Sequence, residues 1–536
     1  MLKVYNRRSI IFICLLIILS LVGIFLIIAV SSNWGIGFNP DSVAYVAAAR
    51  NLLNGNGITV LYNDDGTIPL NLWAPQSSNE TIHVMLWPPL YPIFLSFGGL
   101  LGIDIIVFSR WLSALLFGTN ILLISYIIKK ITRSIWLSIF CAIVMITSVV
   151  VLGIHLMAWS EPLFIFLGYL GLYLLINYLK EKNKLLFYIA AVLLSLAFLT
   201  RYAGLTFIIS CTLAILFLND ERIRKRIIDA AILMALSCIP TGIWILRTIY
   251  VRGVQSFRSF IFHPVLLINV KTTISNISKW LLPEVIPGKI RVTITGIFLI
   301  LVITFFVILI RKLKQKNIDS IQKLSIKFIL LNTIFIVVYL SFIVFSKSFL
   351  DFHIPIRDFR ILSPVFISTL IIVIYFLKLL LIYFDYNRLV KIVVSLVCVI
   401  FIGFYIVNCI NLARPIYNNG KGYEGRDWKL SETMKELEKY PESIMIYSNG
   451  PDAIYLLTGR TAKMLPLVEN PYTLEKNDTY YLQMELMEKG IKEKEGIIVF
   501  FDKITRLYLP TEDRLKEELN LRPLVEKTDG TIYGSN

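Results

Sequence analysis

Apolar segments of membrane-crossing length alternate with short polar segments along most of the chain. A helix needs about twenty apolar residues to cross a bilayer, and somewhat fewer where it is short or tilted. By this rule the sequence predicts about eleven transmembrane helices, near residues 10–31, 105–128, 134–157, 160–179, 185–200, 203–218, 227–250, 291–311, 325–346, 361–384 and 392–412. The pair within 185–218 depends on a hairpin at Arg201, because only Thr200, Arg201 and Tyr202 interrupt one long apolar run.

Basic residues between these segments predict their orientation, because short loops rich in Lys and Arg stay in the cytoplasm. With a hairpin at Arg201, all of these clusters fall on one side of the membrane: near the N-terminus and within 129–133, 180–184, 222–226, 311–327 and 388–391. The N-terminal apolar core lacks the small-residue cleavage pattern of a signal peptide, so we interpret it as a retained span. We therefore expect a cytoplasmic N-terminus and extracytoplasmic loops near 32–104, 251–290 and 347–360.

The segment after the last apolar stretch, 413–536, has a different pattern. Amphipathic helical stretches alternate there with short buried-strand patterns such as "SIMIYSN" and "GIIVFFD". About 120 residues suffice for one small α/β domain. We expect two units: a transmembrane domain over 1–412 and an extracytoplasmic α/β domain over 413–536.

Composition agrees with this pattern. Of 536 residues, 56% are hydrophobic and 17% charged, which excludes a water-soluble globular protein. The net charge of +17 lies in clusters between apolar segments, so we expect no nucleic-acid partner. All six cysteines fall within apolar segments, and nothing indicates a disulfide framework.

Asp41 is the acid that directly follows the first apolar segment, in "NPDSVAYVAAARNLL". It could be the N-cap of a helix, which needs a side-chain acceptor for free backbone N–H groups. Tyr45 lies one turn further on, and the stretch would suit a helix in the membrane interface. There, an acid is positioned to accept a proton from an acceptor hydroxyl.

Glu161 stands at the outer mouth of the fourth apolar segment, in "MAWSEPLFIFL". With Ser160 as N-cap and Pro162 in the first turn, it has a purely structural interpretation. An acid at a helix mouth facing a cavity is also a candidate functional residue. The sequence leaves both interpretations open.

Three further stretches on the expected outer side carry candidate binding residues. "HVMLWPPLYP" contains His83 and Tyr91, although its prolines are also typical of a loop that turns into the next helix. Arg201, and then Arg357 and Arg360 in "RDFRILSPVF", could contact lipid headgroups or bind a substrate phosphate. We find no metal-binding or nucleotide-binding signature.

In this order, "PDSVAYVAAARNLLNGNG", "WPPLYPIFL", "SEPLFIFL", "LTRYAGL" and "RDFRILSPVF" resemble polytopic glycosyltransferases of the GT-C superfamily. The pattern is most similar to the branch with protein O-mannosyltransferases and the lipid A aminoarabinose transferase. The resemblance implies a bacterial plasma (inner) membrane enzyme that transfers a sugar from a polyprenyl-phosphate carrier to a glycan, lipid or protein acceptor.

Residue roles follow from the same resemblance. Asp41 matches the first-loop acid that acts as catalytic base or orients the acceptor, and Glu161 matches a second acidic position. Tyr45 matches an aromatic residue, while Arg201 and Arg360 fall near the expected donor phosphate. No cofactor is implied with certainty, and a divalent cation stays an open option.

Two departures separate the chain from these relatives. Ser42 follows Asp41, where many members have a second acid, and Trp87 and Ala44 replace the lysine and arginine of the aminoarabinose enzymes. We therefore do not expect aminoarabinose as the sugar, and we expect the phosphate contacts to fall to Arg201, Arg357 or Arg360. A transporter or flippase of a lipid-linked substrate is the alternative, and a non-enzymatic assembly or sensor protein is a further one.

Overall fold

The computed structural model describes residues 7–60, 82–84, 87–252, 260–313, 319–350, 358–470, 475–493 and 496–534. Helices form most of residues 7–419: α1 Arg7–Val30, α2 Pro40–Leu53, α3 Leu90–Leu100, α4 Ile105–Thr132, α5 Ile135–Thr147, α6 Val149–His155, α7 Glu161–Glu181, α8 Lys184–Thr200, α9 Leu205–Leu218, α10 Ile223–Arg252, α11 Leu267–Ser278, α12 Gly288–Leu313, α13 Ser320–Phe349, α14 Phe359–Tyr383 and α15 Arg388–Asn419. Two short strands, β1 Thr59–Val60 and β2 Ile82–His83, lie between α2 and α3. The chain is an α-helical polytopic membrane protein, as its pattern predicts.

Seven helices of the described residues are long and apolar enough to cross a membrane, and α5 with α6 would make eight if that bent pair is one span. The predicted span at 134–157 is not one straight helix, since α5 and α6 meet at an angle of 55°. Ser148 causes the break by capping α6, its hydroxyl accepting from the backbone N–H of Val151. The predicted spans at 185–200 and 203–218 are the shorter helices α8 and α9, of 17 and 14 residues.

The chain reverses direction at Arg201. Lys182, which precedes α8, donates from Nζ to Oδ1 of Asn219, which follows α9, at 2.5 Å. The two helices therefore run antiparallel, joined by a 3₁₀ turn at Tyr202–Gly204. Helix α7 packs closely against α9, because Gly168 leaves room for the ring of Phe207.

Basic loops lie together at one end of the helix bundle. Arg133, after α4, pairs with Asp319 at 2.7 Å, and Lys327 of α13 pairs with Asp220 at 2.7 Å. The start of α1 lies at this end too, since the Lys129 ammonium lies over the ring of Phe12. We call it the basic end; the loops after α1 and before α7, together with the start of α14, lie at the opposite end.

The remaining residues form an α/β unit attached to that opposite end. Its elements are α16 Arg426–Lys429, α17 Glu432–Leu437, β3 Ile446–Ser448, α18 Pro451–Thr458, β4 Lys463–Met464, α19 Tyr480–Glu493, β5 Ile497–Phe501, α20 Glu512–Leu519, β6 Arg522–Lys527 and β7 Gly530–Gly534. The sheet order is β4-β3-β5-β7-β6, parallel among the first three strands and antiparallel among the last three. Helix α18 packs against α2 of the bundle.

Candidate active site

Helix α2 begins at the exit of the first span. Asn39 is its N-cap, with Oδ1 accepting from the backbone N–H of Ser42 at 3.1 Å, and Pro40 follows in the first turn. Asp41 is therefore not the cap, which corrects the simpler interpretation of this acid. Its carboxylate stays available for other contacts, and its side chain is 27% exposed.

Glu161 lies at the first position of α7 and is almost fully enclosed. Its side chain is only 2% exposed, and Oε1 accepts from Nη1 of Arg201 at 2.8 Å and from Nε of Arg360. Oε2 has no hydrogen-bond partner in the part of the chain that the structure describes. Ser160 precedes Glu161 but makes no side-chain cap; its hydroxyl accepts instead from Arg201 at 3.1 Å.

Arg360 joins the two acids. It lies in the first turn of α14, where the side chain of Asp358 caps the helix. Its Nη1 donates to Oδ2 of Asp41 at 2.6 Å while its Nε donates to Glu161. Because a guanidinium presents donors in a rigid planar fork, it can hold two carboxylates at once.

An indole ring supports this arginine. The guanidinium of Arg360 lies 4.3 Å from the ring centroid of Trp159, which favours a cation–π contact. The indole Nε1 of Trp159 donates to Oδ1 of Asn39 at 2.9 Å, so the residue that caps α2 also fixes the ring. Asp41 and Arg360 are therefore linked directly by their ion pair and indirectly through Trp159 and Asn39.

Tyr45 lies buried one turn after Asp41. Its hydroxyl is 3.3 Å from that of Ser160, and its ring packs edge-on against Trp87 and Tyr91, with centroids 5.7 and 5.1 Å away. Burial, together with the charge of Asp41, raises the pKa of the Tyr45 hydroxyl above its usual value. Tyr45 is thus a neutral hydrogen-bonding group at physiological pH.

The structure brings together six of the eight residues singled out from the sequence: Asp41, Glu161, Tyr45, Tyr91, Arg201 and Arg360. His83 lies on β2, Ile82–His83, whose backbone pairs antiparallel with β1, Thr59–Val60. Arg357 lies outside the described residues.

Sequence reasoning missed three residues of this region. Asn39 and Trp159 support the acids and carry no charge that would draw attention to them. Lys421 follows α15 in "NNGKGYEG", and its ammonium lies 5.8 Å from the ring centroid of the same Trp159. Its place near the site depends on the chain after α15 folding back onto the first loop, a contact that local sequence does not reveal.

The two acids do not form a site for a divalent cation in this arrangement. Arg360 already lies between Asp41 and Glu161 and donates to both. No group of three or more His, Cys, Asp or Glu residues that could hold a metal occurs among the described residues. The donor set present therefore does not fit a metal, and we derive no step through one.

A known crystal structure shares this arrangement of helices. No model of a protein family matches the sequence, and no curated protein matches it. The apo crystal structure of ArnT from Cupriavidus metallidurans, a GT-C protein, is similar over 98% of this chain and 98% of ArnT, with a TM-score of 0.52 at 12% identity. The chain has the GT-C fold.

Two further structures show weaker similarity. The match to ArnT bound to undecaprenyl phosphate spans 97% of this chain and 97% of ArnT, at 12% identity and a TM-score of 0.49. The second structure is the oligosaccharyltransferase AglB from Archaeoglobus fulgidus, in complex with an inhibitory peptide and a dolichol-phosphate. The match spans 90% of this chain and 69% of AglB, at 11% identity and a TM-score of 0.48. Within its own GT-C fold, this chain places Asp41, Glu161, Arg201 and Arg360 together at the end of the bundle opposite the basic end.

Proposed function

We propose that the protein is a glycosyltransferase that moves a sugar from a polyprenyl-phosphate carrier to an acceptor hydroxyl or amide at the extracytoplasmic face of a bacterial inner membrane. The observation that carries this proposal is the pair of carboxylates, Asp41 and Glu161, bridged by Arg360 beside a second arginine. Such a cluster combines an acid near solvent with cations suited to phosphate. The acceptor is a glycan, a lipid or a protein.

The two acids differ in burial, and we assign them different roles. Asp41 is 27% exposed, so an acceptor can approach it, whereas Glu161 is 2% exposed and binds both arginines. Asp41 accepts the proton of the acceptor, whose oxygen or nitrogen forms a bond to the anomeric carbon. The bond between that carbon and the phosphate oxygen breaks, and the lipid phosphate leaves with the electron pair. Glu161 positions Arg201 and Arg360 for this step.

A lipid-linked donor fits the location of the cluster. It lies where membrane-length helices α7 and α14 begin, so a polyprenyl chain can stay in the bilayer while its phosphate reaches the site. Phosphate is a competent leaving group, so positioning and charge stabilisation supply most of what the reaction needs. Arg201 is 22% exposed and uses Nη1 for Glu161 and Ser160; among the described residues its other donors stay available for a ligand.

A transporter or flippase would favour a different distribution of charge. Transported polar groups need ionisable residues at mid-depth in the membrane. The ion pairs described above lie at the two ends of the bundle, such as Lys327–Asp220 at the basic end and Arg360–Asp41 at the other. This distribution supports the enzyme over the transporter.

Turnover of radiolabelled polyprenyl-phosphate sugars, in membranes that contain the protein, tests the proposal. We expect one donor to be consumed by the wild type and at least 100-fold less by Asp41→Asn, in the range given by loss of a general base, ~10²–10⁴. Asp104→Asn is the matched control, because Asp104 caps α4 and asparagine caps equally well. Its ion pair with Arg50 of α2 is 3.8 Å long and 54% exposed at Asp104, so its loss should cost little.

Two results would contradict the proposal at different points. If no sugar donor of the panel is consumed with glycan, lipid and peptide acceptors supplied, the enzyme assignment is wrong. If Asp41→Asn turns over as fast as Asp104→Asn, the reaction takes place without Asp41 as base. Elution of each variant as a single folded species is the control for both.

A further inference from the structure

Lys421 is held at the site by a turn with a glycine on each side of it. It stands between Gly420, with φ +70°, and Gly422, with φ +61°, a backbone region that other residues rarely adopt. A Cβ on Gly422 would lie 1.8 Å from the carbonyl oxygen of Phe38, so the turn lies directly against the first loop. The backbone N–H of Tyr423 donates to that same carbonyl at 3.0 Å.

The Lys421 side chain points to the aromatic residues of the site. Its Nζ is 5.8 Å from the ring centroid of Trp159 and 5.6 Å from that of Phe359, the residue before Arg360. Trp159 thus contacts both Lys421 and the arginine that bridges the acids. Lys421 belongs to the same group of side chains, although it comes from the other end of the sequence.

Lys421 differs from the arginines in having no carboxylate at ion-pair distance within the described residues. Arg201 binds Glu161, and Arg360 binds both acids, so the four charges of that cluster cancel. Asp358, whose charge acts on Lys421, caps α14 through the backbone N–H of Arg360. Burial lowers the pKa of the Lys421 ammonium, which is the direction expected for a cation that lacks a close anion.

We propose that Lys421 binds the phosphate of the lipid-linked donor. This inference rests on the proposed function and assigns its leaving-group site. When the bond from the anomeric carbon to the phosphate oxygen breaks, that oxygen takes the electron pair, and the ammonium of Lys421 stabilises the added negative charge while keeping its protons. A phosphate next to Lys421 also supplies a close counter-charge, which none of the described carboxylates provides there.

Binding of undecaprenyl phosphate to the purified protein in nanodiscs tests this assignment. Lys421→Met keeps the apolar stem that packs on Trp159 and Phe359 but removes the charge, and we expect its affinity to fall about 10- to 100-fold. Lys421→Arg keeps the charge and is expected to stay within about fivefold of the wild type. Lys435→Met, on the exposed side of α17, removes the same charge elsewhere and should bind as the wild type does.

Undecaprenol, which lacks the phosphate, and inorganic phosphate complete the design. Wild type that binds undecaprenol as tightly as undecaprenyl phosphate would overturn the proposed function itself, and the role of Lys421 with it. Wild type that prefers the lipid phosphate, with Lys421→Met unchanged in affinity, would overturn only the assignment of Lys421. Inorganic phosphate bound as tightly as the lipid would assign the site to a free anion and contradict a donor site.

Discussion

The side chain of Glu161 is only 2% exposed, so its carboxylate is removed from water. This is unfavourable unless opposite charges lie close to it. Arg201 and Arg360 supply those charges. The sequence indicates that Glu161 and the arginines lie on one side of the membrane, but it leaves open whether the acid is structural. That question depends on Arg360, 199 residues away, and only tertiary structure brings the pair together.

Removing Arg360 should destabilise the protein more than removing Arg201. Arg360→Met leaves Asp41 without its partner and Glu161 with one guanidinium, and we expect a loss of about 3–5 kcal/mol, as for a broken buried ion pair. Arg201 is more exposed, at 22% against 13%, so Arg201→Met should lose less. Thermal unfolding of both variants in the same detergent gives the comparison, and equal losses would contradict this view of the bridge.

The Tyr45 hydroxyl should contribute a small stabilisation through Ser160. Tyr45→Phe removes that contact and leaves the buried ring in place, so we expect a loss of ~1 kcal/mol in the free energy of unfolding. Tyr91→Phe is the matched control, because Tyr91 packs against Tyr45 and the structure records no hydrogen bond from its hydroxyl to a described residue. A loss of the same size in both variants would show that the Ser160 contact is not the cause.

Helices of membrane length are the elements that the sequence predicts best, because an apolar run of about twenty residues has few other stable structures. The break between α5 and α6 is not visible in this pattern. Thr147 and Ser148 interrupt the apolar run only briefly, and a serine can either continue a helix or cap a new one. The hairpin at Arg201 is easier to predict, because continuing one helix there would place neighbouring basic loops on opposite sides.

The turn at Lys421 gives a prediction about an element. In Gly422→Ala the new methyl group clashes with the Phe38 carbonyl oxygen, and the backbone is also strained at φ +61°. The turn must therefore move away from the first loop. Gly459→Ala is the control, because Gly459 has φ +72° and no atom within 4 Å of its Cβ position, which leaves only the conformational strain of about 1 kcal/mol. We expect Gly422→Ala to lose more thermal stability and more donor turnover than Gly459→Ala. Equal behaviour of the two variants would refute a positioning role for the turn.

At the scale of the whole molecule, the α/β unit contacts the helix bundle beside the site. Helix α18 packs on α2, and Arg50 of α2 lies over the ring of Tyr455 on α18. Inside the unit, Asp452 at the start of α18 accepts from Arg506 at 2.7 Å and from the hydroxyl of Tyr423 at 2.7 Å. The sequence predicts the α/β character of this region from its strand and helix patterns, but not this docking, because the contacts join segments far apart in the chain.

The Asp452–Arg506 pair should hold the α/β unit in the position that supports α2. Arg506→Met leaves Asp452, which is 1% exposed, without its counter-charge, and we expect a loss of about 3–5 kcal/mol. Arg514→Met breaks a surface pair with Glu518 on α20 and should lose ~1 kcal/mol or less. Protease sensitivity of the segment after Ala413, together with donor turnover, measures the effect; unchanged sensitivity in Arg506→Met would argue against it.

The contacts between the first loop and the segment after α15 also set the order in which the protein is completed during synthesis. The indole of Trp34 donates to the carbonyl oxygen of Asn418, 384 residues later, and ribosomes need about 20–80 s to add that many residues. For most of this interval Asp41 has been made and Arg360, which precedes Asn418 by 58 residues, has not; Lys421 is made only after Asn418. A newly made chain therefore carries its exposed acid well before it carries the cations of the site, and a translation product that stops before Arg360 has the acid without its partner.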